Sequence, residues 1–420
     1  MAAAAAAAAA MTTAAPVTAF QWSLAALETL MAEDQMDRHA AVLRAFSVVE
    51  LWRLRRVCRA FHRWGTAALA ALPRIVAVGG RRAQLDSPLA DETASVEVLD
   101  LSTLRWSSGV VPALPEPRDG HALCSFGDGR ILVAGENTTD RERTALQWVP
   151  GAPDWAPLPN LPEGRKLAQA VALPDGRAMV LGGDTPGPNI AARTARAGEG
   201  GIASVDVLAA DGSGWSAGTP MGTRRYNQAV AALPCGKVLV AGGSQPFLAL
   251  NAAELWDPMA GEWSELPPMA EARWGAGCVV LPSGRVAVVG GRVEDDPPRK
   301  FYVTSTDRSD VLVYDLEARA WGQLPSMAHP RCWSGVSAVA GGMLAVGGDQ
   351  TGGEFPEDDD DDVCCDVPPT ELFDEASGRW FELPHAMDQP RSQVKVVSVP
   401  ATALAPPPAA GAEGAAAAAQ

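Results

Sequence analysis

Arginines recur along most of this 420-residue chain, each directly ahead of a run of alternating apolar residues. A guanidinium group is permanently charged and presents five donors in a planar fork, which suits paired contacts with carboxylate or phosphate oxygens. Six of them gathered on one surface would form a binding site for an acidic ligand. The six are Arg118, Arg165, Arg225, Arg273, Arg331 and Arg391.

Residues that bind metals or transfer protons are few, with five histidines and three tyrosines in the whole chain. A mononuclear metal site would have to combine His121, His329, His385 and Tyr226, which share no local ligand spacing. The acidic run at 357–362 lacks the alternating ligands and central glycine of a calcium loop, so we interpret it as a solvated surface loop. The sequence therefore predicts no catalytic residue, no metal and no cofactor, with a metalloenzyme kept as an alternative.

The arginines belong to a repeated unit, seen most clearly between Arg273 and Trp321. An apolar run after the arginine leads through a tight turn into a second run that ends in Gly290 and Gly291. A third run ends at Asp315, and a short fourth begins at Trp321. Short alternating runs separated by Gly, Pro and Asp predict a four-stranded antiparallel meander.

Six copies of this unit follow one another at intervals of about 50 residues. The glycine mark falls at Gly79, Gly135, Gly182, Gly242, Gly290 and Gly347, with Glu136 in place of the second glycine once. The tryptophan mark falls at Trp106, Trp155, Trp215, Trp263, Trp321 and Trp380. This pattern is similar to that of kelch repeats, and the resemblance implies an all-β, six-bladed β-propeller over residues 73–400.

The ends of the propeller segment predict how the ring closes. It begins at Ile75 with the second strand of a blade, and the missing first strand reappears at Val394–Val399. Pairing these two segments would leave no free edge. In such a meander the variable insertions (81–94, 184–201, 292–309 and 349–369) and the arginines lie on one face, and the short hairpins lie on the other.

Each arginine has two possible roles. In kelch proteins that recognise peptides, arginines at matching positions bind ligand carboxylates, so the resemblance implies a target that is acidic or phosphorylated. Alternatively, a carboxylate or backbone carbonyls within the ring hold the guanidinium and fix the blades. The six tryptophans are better explained by packing between blades.

A helical segment precedes the propeller. Residues 20–72 have no glycine before Gly65, and their apolar residues recur at helical spacing. The stretch 39–65 resembles an F-box, although the Leu-Pro that usually opens one is missing. The resemblance implies that the SCF adaptor and cullin are partners, through Leu43, Phe46, Leu51, Leu54, Val57 and Phe61. The alternatives are a helical cap on the propeller and an arginine stripe for nucleic acid.

Composition sets the remaining expectations. We interpret the Ala-rich ends, 1–19 and 401–420, as disordered. A net charge of −16 argues against nucleic acid or a membrane as a partner. Without a secretory signal or a membrane-spanning run, and with seven cysteines in a long chain, a cytoplasmic or nuclear location is expected.

Together these features predict a substrate-recognition subunit of an SCF-type ubiquitin ligase, which catalyses nothing itself. One side of the chain would hold the adaptor and the other side a target protein. The main alternative is a kelch interaction scaffold without a ligase link.

Overall fold

The computed structural model describes residues 46–57, 59–82, 92–135, 142–185, 201–245, 248–294, 305–350 and 367–404. The predictions for the N-terminal tail, for Leu43, for the acidic run 357–362 and for residues 405–420 fall outside this part of the chain.

Six four-stranded antiparallel sheets form the blades of the propeller. Blade 1 consists of β30 (Lys395–Val399), β1 (Arg74–Val78), β3 (Val96–Asp100) and β4 (Arg105–Ser108). Blade 2 consists of β5 (Ala122–Ser125), β6 (Ile131–Ala134), β7 (Ala145–Trp148) and β8 (Ala156–Leu158). Blade 3 consists of β9 (Gln169–Ala172), β10 (Ala178–Leu181), β11 (Val205–Leu208) and β12 (Trp215–Ala217).

The other three blades repeat the arrangement. Blade 4 consists of β13 (Ala229–Ala232), β14 (Val238–Ala241), β17 (Ala253–Asp257) and β18 (Glu262–Leu266). Blade 5 consists of β19 (Gly277–Val280), β20 (Val286–Val289), β23 (Val311–Asp315) and β24 (Ala320–Leu324). Blade 6 consists of β25 (Gly335–Val339), β26 (Gly342–Val346), β27 (Glu371–Asp374) and β28 (Arg379–Glu382).

The second strand of each blade is apolar on both faces, because each blade lies between two neighbours. All residues of β6, β10, β14, β20 and β26 are buried. Continuous runs of Val, Leu, Ile and Ala suit such positions, since both sides of the sheet are removed from water. The propeller core is therefore a series of apolar layers between blades.

The predicted closure of the ring is confirmed. β30 pairs antiparallel with β1, with Val399 opposite Arg74 and Lys395 opposite Val78. Strand β1 also pairs with β3, so the C-terminal strand completes blade 1. Because the chain ends join inside one sheet, neither end of the propeller leaves an unpaired inner strand.

Three two-stranded pairs extend the blades on the face that carries the long second-to-third connections, which we call the insertion face. The opposite face, with the short turns, is the hairpin face. The three pairs are β2 (Arg81–Arg82) with β29 (Arg391–Ser392), β15 (Ser244–Gln245) with β16 (Leu248–Ala249), and β21 (Arg292–Glu294) with β22 (Ser305–Asp307).

The repeated tryptophans connect neighbouring blades, as predicted. The indole N–H of Trp215 donates to the carbonyl of Pro159 at 2.7 Å, in the connection that leaves the preceding blade. Trp321 makes the same bond with Pro267 at 2.7 Å, and Trp380 makes it with Pro325 at 2.8 Å. These three rings therefore combine apolar packing with one directed hydrogen bond between neighbouring blades.

The glycine pairs lie at these seams. Gly290 and Gly291 have φ values of 62° and 92°, a region that side chains disfavour. A Cβ on Gly290 would lie 2.5 Å from the carbonyl oxygen of Arg331, which belongs to the next blade. The N–H of Gly291 donates to that same oxygen at 2.9 Å. Glycine is required here because the two backbones approach so closely.

Two helices pack on the hairpin face, α1 (Val48–Leu54) and α2 (Arg59–Ala71). Ser47 and Glu50 form a capping box that starts α1. The N–H of Val48 donates to the carbonyl of Ala340, and the indole of Trp52 donates to that of Leu101. These bonds attach the helical module to the turns of blades 6 and 1.

The predicted adaptor-binding residues differ in how far this packing buries them. Leu51 and Phe61 are only 0% and 2% exposed, in one apolar cluster with strands of blades 1 and 6. Phe46 and Leu54 are partly buried against the same cluster. Val57 alone is largely exposed, at 47%. The propeller therefore covers Leu51 and Phe61 in this arrangement, and their contact with an adaptor stays a prediction.

The C-terminal boundary also needs a correction. The predicted disordered tail begins at residue 401, but Ala401–Leu404 form a 3-10 helix. Ala403 and Leu404 pack against the apolar layer between blades 1 and 2. None of the helices in the described segments has the length and apolar character needed to cross a bilayer.

Candidate binding face

The six repeated arginines are buried at the start of their blades. Their exposure lies between 0 and 3% of the free side chain. Each side chain turns back into its own blade, where Nη1 donates to the carbonyl of the first glycine of the pair. The acceptors are Gly135, Gly182, Gly242, Gly290, Gly347 and Gly79 for Arg118, Arg165, Arg225, Arg273, Arg331 and Arg391.

Five of the arginines also pair with a carboxylate of the third strand or the residue just before it. The partners of Arg165, Arg225, Arg273, Arg331 and Arg391 are Asp206, Glu254, Asp310, Glu371 and Glu97. Several of these carboxylates also accept backbone N–H groups. Glu254 accepts from Gly222 and Thr223, and thereby fixes the connection that leads into its blade.

Blades 2 and 5 differ at the third-strand position. The residues there are Leu146, opposite Val133, and Leu312, opposite Val288, whereas the equivalent residue in blade 1 is Glu97, opposite Ala77. In blade 5 the carboxylate comes from Asp310 instead. Arg118 nevertheless stays buried, and its guanidinium donates to Gly135 at 3.4 Å.

These contacts match the structural role of the arginines. Burial raises the pKa of Glu97 and lowers the pKa of Arg391, because removal from water disfavours the charged form of each group. The pair is held by its mutual attraction and by backbone hydrogen bonds. The prediction that the six arginines contact a ligand does not agree with their burial, since their donors face the interior of each blade.

A ring of backbone hydrogen bonds lies just beyond the arginines, where the chain enters each channel-lining strand. The residue two positions after each arginine has positive φ, between 50° and 65°, and these are Gly120, Leu167, Asn227, Gly275, Trp333 and Gln393. The N–H of Leu167 donates to Gly120, and the same bond joins Asn227 to Leu167, Gly275 to Asn227 and Trp333 to Gly275. Five blades are thus linked in sequence at the insertion-face mouth of the channel.

Two tryptophans and an arginine form a cluster on this mouth at blades 5 and 6. The rings of Trp274 and Trp333 lie 5.3 Å apart, and the guanidinium carbon of Arg292 is 5.3 Å from each ring centre. The indole of Trp333 reaches across Gly275 and donates to the Asn227 side chain at 3.3 Å. Both tryptophans are partly exposed. Together these residues present a rigid aromatic surface held by cation–π and hydrogen-bond contacts.

Beneath this surface, Arg292 is held by carboxylates. Asp307 accepts from its Nε at 2.7 Å and from its Nη2 at 3.1 Å, and Asp349 lies 3.7 Å from Nη2. Burial raises the pKa of Asp349 to about 7, with a further contribution from the negative charge of Asp307 and an opposing one from Arg292. Asp349 therefore titrates near neutral pH, whereas Asp307 makes the direct ion pair.

The same carboxylates form the one group of potential metal ligands found among the described residues. It consists of Asp307, Cys332 and Asp349, whose ligand atoms lie within 4.8 Å of one another. The Arg292 guanidinium already supplies a cation to both carboxylates. The donor set is therefore accounted for by an ion pair, and a metal would have to displace or join a fixed positive charge.

The residues considered for a metalloenzyme do not form this group. His121 is fully buried beside Gly79, and His329 bonds to Glu382 at 3.0 Å on the surface. Tyr226 forms a backbone bridge with Ser244. The alternative of a metal site built from the histidines and Tyr226 thus has no support from the described geometry.

The aromatic cluster was missed in the sequence, although a signal for it exists. Trp274 directly follows the repeated arginine, and Arg292 directly follows the glycine pair of the same blade. Trp333 stands at a position where blades 2 and 5 have glycine. Alignment of the repeats therefore identifies large side chains at the channel mouth, in positions where the fold itself does not need them.

Comparison with known proteins identifies the fold. No protein-family model matches this chain, and no curated protein matches it either. A solved structure entitled "Structure of YjhT" is similar, with a TM-score of 0.57 and 15% sequence identity over 74% of this chain and 97% of that one. At this identity the likeness supports the six-bladed propeller and carries no information on activity.

Proposed function

We propose that this protein is a non-enzymatic interaction scaffold that binds a protein target on its insertion face. The observation that carries the proposal is the pair of partly exposed rings of Trp274 and Trp333, held rigidly over the buried guanidinium of Arg292. Tryptophan is among the residues most enriched in the set that dominates binding energy at protein interfaces. A side chain that is already ordered loses little entropy when it binds.

An acidic or phosphorylated target remains part of this proposal, on different residues. The six repeated arginines are engaged inside their blades, whereas Arg82 and Arg224 are exposed on the insertion face. Arg308 is also partly exposed beside the aromatic cluster, where it pairs with Asp310 and Glu271. These three could contact negative groups of a bound segment without disrupting the propeller.

The test is affinity capture with a variant that removes one ring and keeps the backbone. Trp333→Gly suits the positive φ of 51° at this position, and glycine occupies the same place in blades 2 and 5. We expect the variant to lose the captured target by tenfold or more, with little change in melting temperature. Met259→Ala is the matched control, because Met259 is 94% exposed on the hairpin face. Equal capture by wild type and Trp333→Gly would argue against this surface.

The second candidate is the SCF-type receptor, in which the helical module also binds the adaptor and cullin. The sequence resemblance of 39–65 to an F-box supports it, together with the exposed apolar side chain of Val57 between the two helices. Since Leu51 and Phe61 pack on the propeller, this candidate needs an adaptor that engages Val57 and its surroundings, or a module that detaches. The outer surface of the helices is the part that remains accessible.

Co-purification separates the two candidates. Val57→Asp changes an exposed residue and should leave folding intact, whereas Leu51→Asp would place a charge in the apolar cluster and serve as the unfolding reference. Recovery of the adaptor and cullin with wild type, and their loss with Val57→Asp, would support the ligase receptor. A scaffold without a ligase link predicts that neither protein recovers them.

A further inference from the structure

The aromatic cluster presents two flat apolar surfaces that are inclined to each other. The ring centres of Trp274 and Trp333 lie 5.3 Å apart, and the ring planes differ by 58°. Both tryptophans are partly exposed, whereas Arg292 is only 3% exposed and its guanidinium carbon lies 5.3 Å from each ring centre. The guanidinium therefore supports the rings from the protein interior, and the exposed parts of the rings face solvent.

The polar groups of the cluster are engaged within the protein, with one exception. The indole N–H of Trp333 donates to the side-chain oxygen of Asn227, and Asp307 accepts two hydrogen bonds from Arg292. The backbone N–H of Trp274 donates to the Arg292 carbonyl at 3.1 Å, and the Trp274 carbonyl accepts the Arg292 N–H at 2.8 Å. The indole N–H of Trp274 has no partner among the described residues, and it is not one of their buried unpaired atoms. It is therefore the donor that a ligand can reach.

The cluster side chains offer a ligand no hydrogen-bond acceptor, because tryptophan and arginine carry donors only. A ligand that brings N–H or O–H groups to these rings would lose hydrogen bonds with water and find no replacement. This disfavours sugars, which carry many hydroxyl groups, and ordinary peptide segments, which carry one N–H per residue. Proline has no backbone N–H, and its carbonyl can accept a hydrogen bond. A run of prolines therefore matches a surface that has one donor and no acceptor.

The charges of the cluster favour a neutral ligand. The face of an aromatic ring carries negative partial charge, which disfavours a carboxylate or a phosphate directly on the rings. The Arg292 guanidinium already makes the cation–π contact with both rings, and Asp307 balances its charge. A second cation would share this contact with Arg292 and be repelled by it. A neutral apolar ring meets neither penalty.

We propose that Trp274 and Trp333 bind a proline-rich segment of the target protein in the polyproline II conformation. Proline rings would pack on the two indoles, and a carbonyl of the segment would accept the Trp274 indole N–H. Such segments dock on aromatic surfaces, and they lose little entropy because their conformation is already formed in water. The proposal rests on the proposed function, since it names the chemistry of the target that this surface would hold.

The chain has a short proline run of its own, at 406–408, directly after the last described residue, Leu404. Leu404 follows the hairpin-face end of β30 and packs at the layer between blades 1 and 2. The prolines lie two to four residues further on, which allows a reach of at most about 14 Å. A five-residue strand such as β30 alone spans about 17 Å between the two faces. The run therefore cannot reach the aromatic cluster of the same molecule, and the segment has to come from another chain.

The test is titration of the purified full chain with acetylated and amidated hexaproline, followed by NMR of the indole N–H signals. Trp274→Phe identifies the Trp274 signal by its loss. Trp321→Phe identifies a control signal, because the Trp321 indole already donates to Pro267 at 2.7 Å. We expect hexaproline to shift the Trp274 signal and to leave the Trp321 signal in place. A hexamer of alternating glycine and serine, which has backbone N–H groups and no rings, should shift neither signal.

Calorimetry with three variants measures what each group contributes to affinity. Trp333→Gly removes one of the two surfaces and should weaken hexaproline binding at least tenfold. Trp274→Phe keeps an aromatic ring but lacks the N–H, so it should weaken binding by about threefold to tenfold. Met259→Ala is the matched control on the hairpin face, and it should bind hexaproline like the wild type.

Three results would overturn the proposal. They are a Trp274 signal that saturating hexaproline does not shift, equal hexaproline affinity of wild type and a folded Trp333→Gly, and tighter binding of maltohexaose than of hexaproline. Self-association of the wild type that Trp333→Gly abolishes would also overturn it, because the segment would then belong to a second copy of this chain. Capture of a target that depends on Trp333, without any response to hexaproline, would refute this ligand class and leave the proposed function standing.

Discussion

Glu97→Gln tests whether the repeated arginines are structural. Glu97 and Arg391 are both fully buried, and they join segments 294 residues apart where the ring closes. Glutamine keeps the shape of the side chain but leaves the Arg391 charge without its counter-ion. Removing one partner of a buried ion pair in this way lowers the free energy of unfolding by about 3–5 kcal/mol. Glu97 also accepts the N–H groups of Asp388 and Gln389, and glutamine can satisfy only part of that demand.

The assay is thermal unfolding of the purified variant. At about 2–4 °C per kcal/mol for domains of 150–250 residues, the melting temperature should fall by roughly 6–20 °C. Glu265→Gln is the matched control, because Glu265 is exposed on β18 and should change the melting temperature by less than about 2 °C. The double variant Glu97→Leu with Arg391→Met should recover part of the loss, since it removes both buried charges.

The same variant separates the two roles of the arginine. If Arg391 binds ligand carboxylates, loss of Glu97 frees its donors and should strengthen the binding of an acidic peptide. If the pair is a structural clasp, binding should not improve while stability falls. A shift below about 2 °C in Glu97→Gln would show that our assignment of the pair is wrong.

Two further predictions follow from the seams and the aromatic cluster. Because the pKa of Asp349 is about 7 in the folded protein, above the ordinary 3.8, its stabilising contribution is present at acidic pH and is lost as the pH rises through 7. Asp349→Asn should therefore gain up to about 4 kcal/mol relative to wild type between pH 4 and pH 8, and an equal difference in melting temperature at both pH values would contradict this. Gly290→Ala should lower the free energy of unfolding by more than about 3 kcal/mol, because its Cβ would lie 2.5 Å from the Arg331 carbonyl oxygen. The control is Gly261→Ala, where φ is also positive but no atom lies within 4 Å of the added Cβ. It should lower the free energy of unfolding by about 1 kcal/mol, measured for both variants by denaturant titration.

The fold was predictable because each blade repeats the same physical solution. An arginine, a glycine pair and a tryptophan recur in fixed order, and each marks a contact that every seam requires. The missing first strand of blade 1 and the extra strand at the C-terminus then allow one closure. Six similar units constrain each other far more than a single stretch of alternating residues would.

The roles of the arginines were less predictable, because the arginine alone does not show which way its side chain turns. The deciding partner lies 29 to 41 residues later for Arg225 and Arg165, at the second residue of the third strand. Glu254 and Asp206 occupy this position, although a buried strand would otherwise favour apolar residues. A charged residue inside these two third strands was thus the available signal for an internal ion pair.

The helical module shows a different limit. Its apolar residues must be buried against another surface. From the sequence alone, that surface is equally well an adaptor or the protein's own propeller. Which of the two covers the helices depends on the hairpin turns of blades 1 and 6. In these turns, single backbone carbonyls accept hydrogen bonds from the Trp52 indole and the Val48 N–H. Backbone acceptors carry no sequence signature, so the docking of Leu51 and Phe61 could be seen only in three dimensions.

The seams also explain why this propeller can vary its binding face. The side chain of each repeated arginine is bonded within its own blade. In five of the six, the backbone carbonyl of the arginine also accepts a hydrogen bond from the second glycine of the preceding blade, as in the bond from Gly243 to Arg273. The residue after the arginine, such as Tyr226 or Trp274, forms a backbone bridge with the residue that follows the glycine pair of the same blade. Its side chain differs from blade to blade. Side chains at the channel mouth can therefore change without disturbing closure, because the contacts that close the ring are made by the residues on either side.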